Sequence, residues 1–103
     1  MSEMRRLKLV TIVAERVLRN RLVEEIRALG AKGFTLTEST GEGSRGVRAS
    51  EWEGANIRLE AIVAPAVADR IVEHIATMYF EWHAVIVYVH DVDVVRGEIG
   101  KSV

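Results

Sequence analysis

Ile62-Val63-Ala64-Pro65-Ala66-Val67-Ala68-Asp69-Arg70-Ile71-Val72-Glu73-His74-Ile75 is the second copy of a pattern that occurs twice in 103 residues. Ile62-Val63-Ala64 matches Ile12-Val13-Ala14, and Arg70-Ile71-Val72-Glu73-His74-Ile75 matches Arg21-Leu22-Val23-Glu24-Glu25-Ile26. Each copy sets a run of β-formers before a stretch whose apolar residues recur every three to four positions. That is a strand feeding an amphipathic helix. In the second copy Pro65 suits the first helical turn, where its missing N–H costs nothing, and Val67, Ile71, Ile75 and Met78 predict the buried stripe of a helix ending near Phe80. Tyr79, Phe80 and Trp82 read as packing at that helix end. In the first copy Leu18, Leu22, Ile26 and Leu29 form the stripe of a helix over Glu15–Leu29, closed by Gly30.

Working outward, the strands fall into place. Leu7–Ala14 is apolar at most positions, the mark of a central strand buried on both faces. Arg5, Arg6 and Lys8 read as a solvated terminus. Phe34 and Leu36 alternate with Thr35 and Thr37, which predicts a half-buried strand, and Ile57–Ala64 and Ala84–Val89 supply two more. The order βαββαβ predicts an α+β, ferredoxin-like fold: an antiparallel sheet with two helices on one face. The whole chain, 1–103, reads as one domain. The last strand is apolar at both parities, with Val85, Val87 and Val89 on one face and Ile86 and Tyr88 on the other. Two helices cover only one face, so a closed symmetric oligomer is expected to cover the second.

Composition narrows the function. An apolar fraction of 49% with 28% charged residues excludes disorder. A net charge of −1 without a basic, aromatic-interleaved face argues against nucleic-acid binding. The chain contains no cysteine, so no thiol nucleophile or disulfide framework is available. With no signal peptide and no apolar run long enough for a bilayer, a cytoplasmic location is expected.

Between the two copies lies Thr40-Gly41-Glu42-Gly43-Ser44-Arg45-Gly46-Val47-Arg48, with three glycines and two arginines, inside a connection running to Asn56. Such a connection is far longer than the usual 4–6 residues or so. Glycine lets the backbone approach a ligand, successive N–H groups cradle negative charge, and arginine grips phosphate or carboxylate through two parallel bonds. A small anionic ligand fits this loop; the plain alternative is a hairpin loop with solvated charges.

The segment Gly30–Gly46 resembles the second strand and T-loop entry of PII signal-transduction proteins, and Ile57–Pro65 is similar to their third strand, with order and spacing preserved from about Leu7 to Arg96. The resemblance implies a homotrimer that binds adenine nucleotides in clefts between subunits and signals through a T-loop at about 41–56. It puts Thr35 near adenine, adds Ile62 to the nucleotide contacts, and sets Gly41, Gly43, Ser44 and Arg45 around the phosphates. Arg96 and Gly97 fall where the family's last strand returns to the phosphates, with a tail over about 97–103. Arg58 falls where the family carries a basic residue facing a small anionic effector. The T-loop here is short and has no Tyr, and Tyr79-Phe80-Glu81-Trp82-His83 replaces the glycine- and lysine-rich phosphate loop of nitrogen-sensing members. The likeness is therefore greater to PII-like proteins of bicarbonate transport and carboxysomes. AMP or ADP, with cyclic AMP or ATP as further candidates, is the expected nucleotide, bicarbonate the second ligand, and a bicarbonate transporter or carboxysome component the partner. A nitrogen-type sensor of ATP and 2-oxoglutarate is the alternative within the family. A CutA-like metal-binding trimer is the alternative outside it, suggested by His74, His83 and His90, which are not spaced as a ligand set. No nucleophile–base pair is visible, so a regulator rather than an enzyme is expected, with no cofactor beyond its regulatory ligands.

Arg45→Ala is expected to weaken nucleotide binding by about 1.5–3 kcal/mol, the worth of a hydrogen bond to a charged group. Gly43→Val should do comparable harm by blocking positive φ and the phosphate's approach. Titration calorimetry on both variants, with Arg48→Ala as the control that retains affinity, checks this.

Overall fold

The computed structural model describes residues 4–39 and 56–95. The apolar run at the start of the chain becomes β1 (Arg5–Glu15), which a 3₁₀ turn (Arg16–Leu18) joins to α1 (Arg19–Ala28). β2 (Thr35–Ser39), β3 (Asn56–Val63), α2 (Pro65–Tyr79) and β4 (Ile86–Val94) follow. The sheet order is β2-β3-β1-β4, antiparallel at every pairing. β1 is the inner strand its two-sided apolarity predicts, and the chain has the ferredoxin-like βαββαβ topology. Its strands run past the expected ends: β1 gains Arg5, Arg6 and Glu15, and β4 continues through Val94. Ladder pairing of Arg5 and Arg6 with β4 and of Glu15 with Asn56 of β3 accounts for the extension. Arg5 and Arg6 are exposed, as expected of solvated charges, but they and Lys8 belong to a paired strand rather than a loose terminus, with Arg6 2.6 Å from Asp93 and Lys8 against Asp91.

The core is one-sided. Val10, Ile12 and Ala14 of β1 join Ile57, Leu59, Ala61 and Val63 of β3 and Val85 beneath Leu22 and Ile26 of α1 and Val67, Ile71 and Ile75 of α2. Full burial of each large aliphatic side chain contributes roughly 1.5–3 kcal/mol. Met78 does not join them, being 47% exposed, while Tyr79 is fully buried. Counting four residues on from Ile75 rather than three reaches the inward side of the helix at that point. Phe80 and Trp82 are exposed, contrary to their reading as packing residues.

Two polar devices hold the helices. Gly30 takes φ +122° and closes α1 in a Schellman arrangement, with Ala31 N–H bonded to Ile26 O at 2.9 Å and Gly30 N–H to Arg27 O at 3.1 Å. Tyr79 donates its phenol hydrogen to Glu25 Oε1 at 2.7 Å, His74 Nε2 lies 2.9 Å from the same oxygen, and Arg21 Nε stands 3.5 Å from Oε2. Burial pushes the Glu25 carboxyl up, but the bonds from Tyr79 and His74 and the charges of His74 and Arg21 together hold it below its ordinary value. Burial, followed by the bond to Glu25, raises the Tyr79 phenol. Among the described residues no helix is long and apolar enough to cross a membrane.

Gly30→Ala meets positive φ and a Cβ contact of 3.0 Å with Val67, so urea unfolding should show a loss of about 1–3 kcal/mol. For Glu25 the folded carboxyl binds its proton less readily than the unfolded one. Its stabilising contribution is complete above the unfolded value of 4.5 and disappears as pH falls through the lower folded value. The stability gap between the parent and Glu25→Gln should therefore be full at neutral pH and shrink below about pH 4.5 in denaturant titrations.

Candidate functional site

Pleating sends successive side chains to opposite faces. The register pairs Val10 with Ala61 and Ile12 with Leu59 and Val87, the set beneath the helices, while Val89, opposite Val10 and of the same parity, is 37% exposed. The alternate set faces away from them. It contains Leu9, Thr11 and Val13 of β1, Arg58, Glu60 and Ile62 of β3, and Ile86, Tyr88 and His90 of β4, all aligned by the same pairings. Thr35 pairs with Glu60 and Thr37 with Arg58, so β2 adds two threonines to this open face.

All three described residues of the predicted ligand set therefore share one surface: Thr35 and Arg58 are exposed and Ile62 is half-buried. They are not adjacent. Thr35 lies opposite Glu60 on the edge strand, Ile62 opposite Leu9, and Arg58 opposite Val13. Gly41, Gly43, Ser44 and Arg45, with most of the 41–56 loop, lie outside the described residues, as do Arg96, Gly97 and the 97–103 tail. Their points of departure are defined. The loop leaves the sheet after Ser39 and returns at Asn56, which opens β3 opposite Glu15. β4 ends at Val94, opposite Arg5, two residues before Arg96. Ten residue steps of β1 separate Glu15 from Arg5, roughly 33 Å of strand.

The sequence reading missed a polar cluster at the middle of the open face. Arg58 Nη2 donates to Tyr88 Oη at 3.1 Å, reaching from β3 to β4 across the intervening β1. Thr11 lies in this span, 1% exposed, its hydroxyl without a partner among the described residues. A buried unsatisfied group of this kind costs about 1–3 kcal/mol. Asn56, 3% exposed, likewise leaves Oδ1 without a partner among the described residues at the root of the loop. Strand parity alone places Thr11 and Tyr88 off the helix face, yet their meeting with Arg58 requires the register.

The histidines do not converge. His74 serves Glu25, the His83 ring lies 5.3 Å from the Tyr79 ring, and His90 packs edge-on to Tyr88 at 5.6 Å. On the helix side, a cleft of about 340 Å³ between α1 and β2 is lined by Arg19, Asn20, Arg27 and Phe34, none of them in the predicted ligand set.

Comparison with known proteins gives a consistent picture. The family model described as nitrogen regulatory protein P-II matches residues 7–99. A Thermus thermophilus protein described as PII-like in signalling is 53% identical, with a TM-score of 0.81 over 98% of this chain and 99% of that one. CPII of Thiomonas intermedia, a nitrogen regulatory PII-like protein solved with ADP, AMP and bicarbonate, is 26% identical, with a TM-score of 0.74 over 91% of this chain and 98% of that one. The same protein bound to ADP, AMP and acetate gives 26% identity and a TM-score of 0.78 over 91% and 93%.

Proposed function

Since the chain belongs to the P-II family, we propose that it is a regulatory protein, not a catalyst, that binds AMP or ADP between copies of itself and reports through the 41–56 loop. The observation that carries this reading is the separation within one chain. The glycine–arginine loop departs from one end of the sheet, while Ile62, paired with Leu9, and the strand leading to Arg96 lie toward the other. The separation of these points of departure supports a site completed by a second subunit. The open apolar face supports the same arrangement: Leu9, Val13, Ile62 and Ile86 are only half-buried, and closing three copies over this surface removes them from water.

In this reading Thr35 and Ile62 contact the base, Gly41, Gly43, Ser44 and Arg45 of one subunit hold the phosphates, and Arg96 and Gly97 reach them from another. Bicarbonate is the second ligand, with Arg58 as its partner, which is supported by the ligands bound to the related CPII. Inorganic-carbon metabolism in the cytoplasm is the setting, and a bicarbonate transporter or carboxysome component the loop's target.

Sedimentation at micromolar concentration should give a trimer, and calorimetry should show AMP or ADP binding at least as tightly as ATP. A stable monomer, or tight ATP binding enhanced by 2-oxoglutarate, overturns the reading. Hydrogen exchange should also slow between residues 40 and 56 when nucleotide is added, since closure of the loop and its anion contacts form together.

A further inference from the structure

In the reading above, Thr11 and Tyr88 of the polar cluster on the open face have no part in holding the nucleotide, and the chemistry of the cluster is specific. Thr11 is paired with Glu60 on one side and Tyr88 on the other, so three adjacent strands present Arg58 and Glu60, Thr11, and Tyr88 around the midpoint of β1. Tyr88 Oη accepts from Arg58, which leaves the phenol's own proton available to donate. The Thr11 hydroxyl is buried and has no partner among the described residues. Among the described residues Arg58 has Tyr88 as its side-chain partner, and Glu60 has none.

We propose that Arg58, Tyr88 and Thr11 form a seat for bicarbonate, with Glu60 as the group that selects it. The proposal rests on the reading above that this protein senses an adenine nucleotide and bicarbonate together. Bicarbonate is a planar anion with charge shared over two oxygens and a proton on the third. The guanidinium suits the two charged oxygens, as it suits a carboxylate edge. The Tyr88 and Thr11 hydroxyls supply further donors, and Thr11 gains the partner it lacks. Glu60 offers a carboxylate for the anion's own O–H. Nitrate has the same planar outline but no proton to give, so beside Glu60 it meets only like charge. Occupation breaks the charge-assisted Arg58–Tyr88 bond and gives the guanidinium an anion in its place, which ties the ligand to the face proposed to pack between subunits.

The test is calorimetric titration of sodium bicarbonate, and separately sodium nitrate, into the protein with and without ADP at constant pH. The parent should bind bicarbonate at least about tenfold more tightly than nitrate. Tyr88→Phe and Thr11→Val, each close in shape to the original, should weaken bicarbonate by about fivefold or more, with ADP affinity and sedimenting mass as in the parent. Glu60→Gln should narrow the gap between the two anions. Parent-like bicarbonate binding by both Tyr88→Phe and Thr11→Val overturns the seat, as does a parent that binds ADP but no bicarbonate. A parent that binds no adenine nucleotide overturns the sensor reading instead, and the titrations without ADP still decide the seat.

Discussion

Hydrogen bonding of β1 on both of its edges is the constraint on which everything else depends. β3 runs beside it from Lys8 to Glu15 and β4 from Arg5 to Val13, so the strand that opens the chain is satisfied only after both later strands have formed. Its even-numbered residues from Val10 to Ala14 anchor the core under the helices, and its odd-numbered ones form the spine of the open face. A one-residue slip would exchange the two sets and send Thr11 into the core. The two-sided apolar character of Leu7–Ala14 therefore serves two surfaces at once, one closed by helices and one left open.

The two faces are stabilised in different ways. Beneath the helices the interior is aliphatic, and its polar groups pair at the end of α2, where Tyr79 reaches Glu25 and Glu25 is met by His74 and Arg21, while His83 Nδ1 beside Tyr79 is buried without a partner among the described residues. That cluster ties α1 to α2 at the end of the second helix, and the turn beyond it is secured by the N–H groups of Trp82 and His83 bonded to Tyr79 O at 3.1 and 2.8 Å. The open face instead carries unpartnered polar atoms amid half-buried aliphatic residues. An arrangement so poor in internal bonds for its burial suits a surface that is finished by a ligand or another chain.

The ion pairs contribute less than their number suggests. Arg6–Asp93 and Lys8–Asp91 link the outer ends of β1 and β4, and Arg16 and Arg19 stand 3.6 and 3.9 Å from Glu38. All are exposed to water, where such pairs are worth about 0–1 kcal/mol. The first two join residues directly opposite on β1 and β4, and the last two tie the 3₁₀ turn and the start of α1 to β2.

Local periodicity by itself determined the strands and helices, the glycine that stops α1, and the internal repeat from which βαββαβ follows, because each is written within a few neighbouring residues. It also marked the two-sided strands and the long glycine- and arginine-bearing stretch between the two copies. Which strands pair, and in what register, depends on contacts between residues far apart in the chain. Arg58 and Tyr88 are 30 positions apart and Thr11 is farther still from both, so their convergence could not be read from spacing. The choice of Tyr79 over Met78 was likewise made by the direction in which the end of α2 meets Glu25, a residue 54 positions away. Tertiary structure decided these points because side chains separated in sequence acquire a common location only when the sheet aligns them.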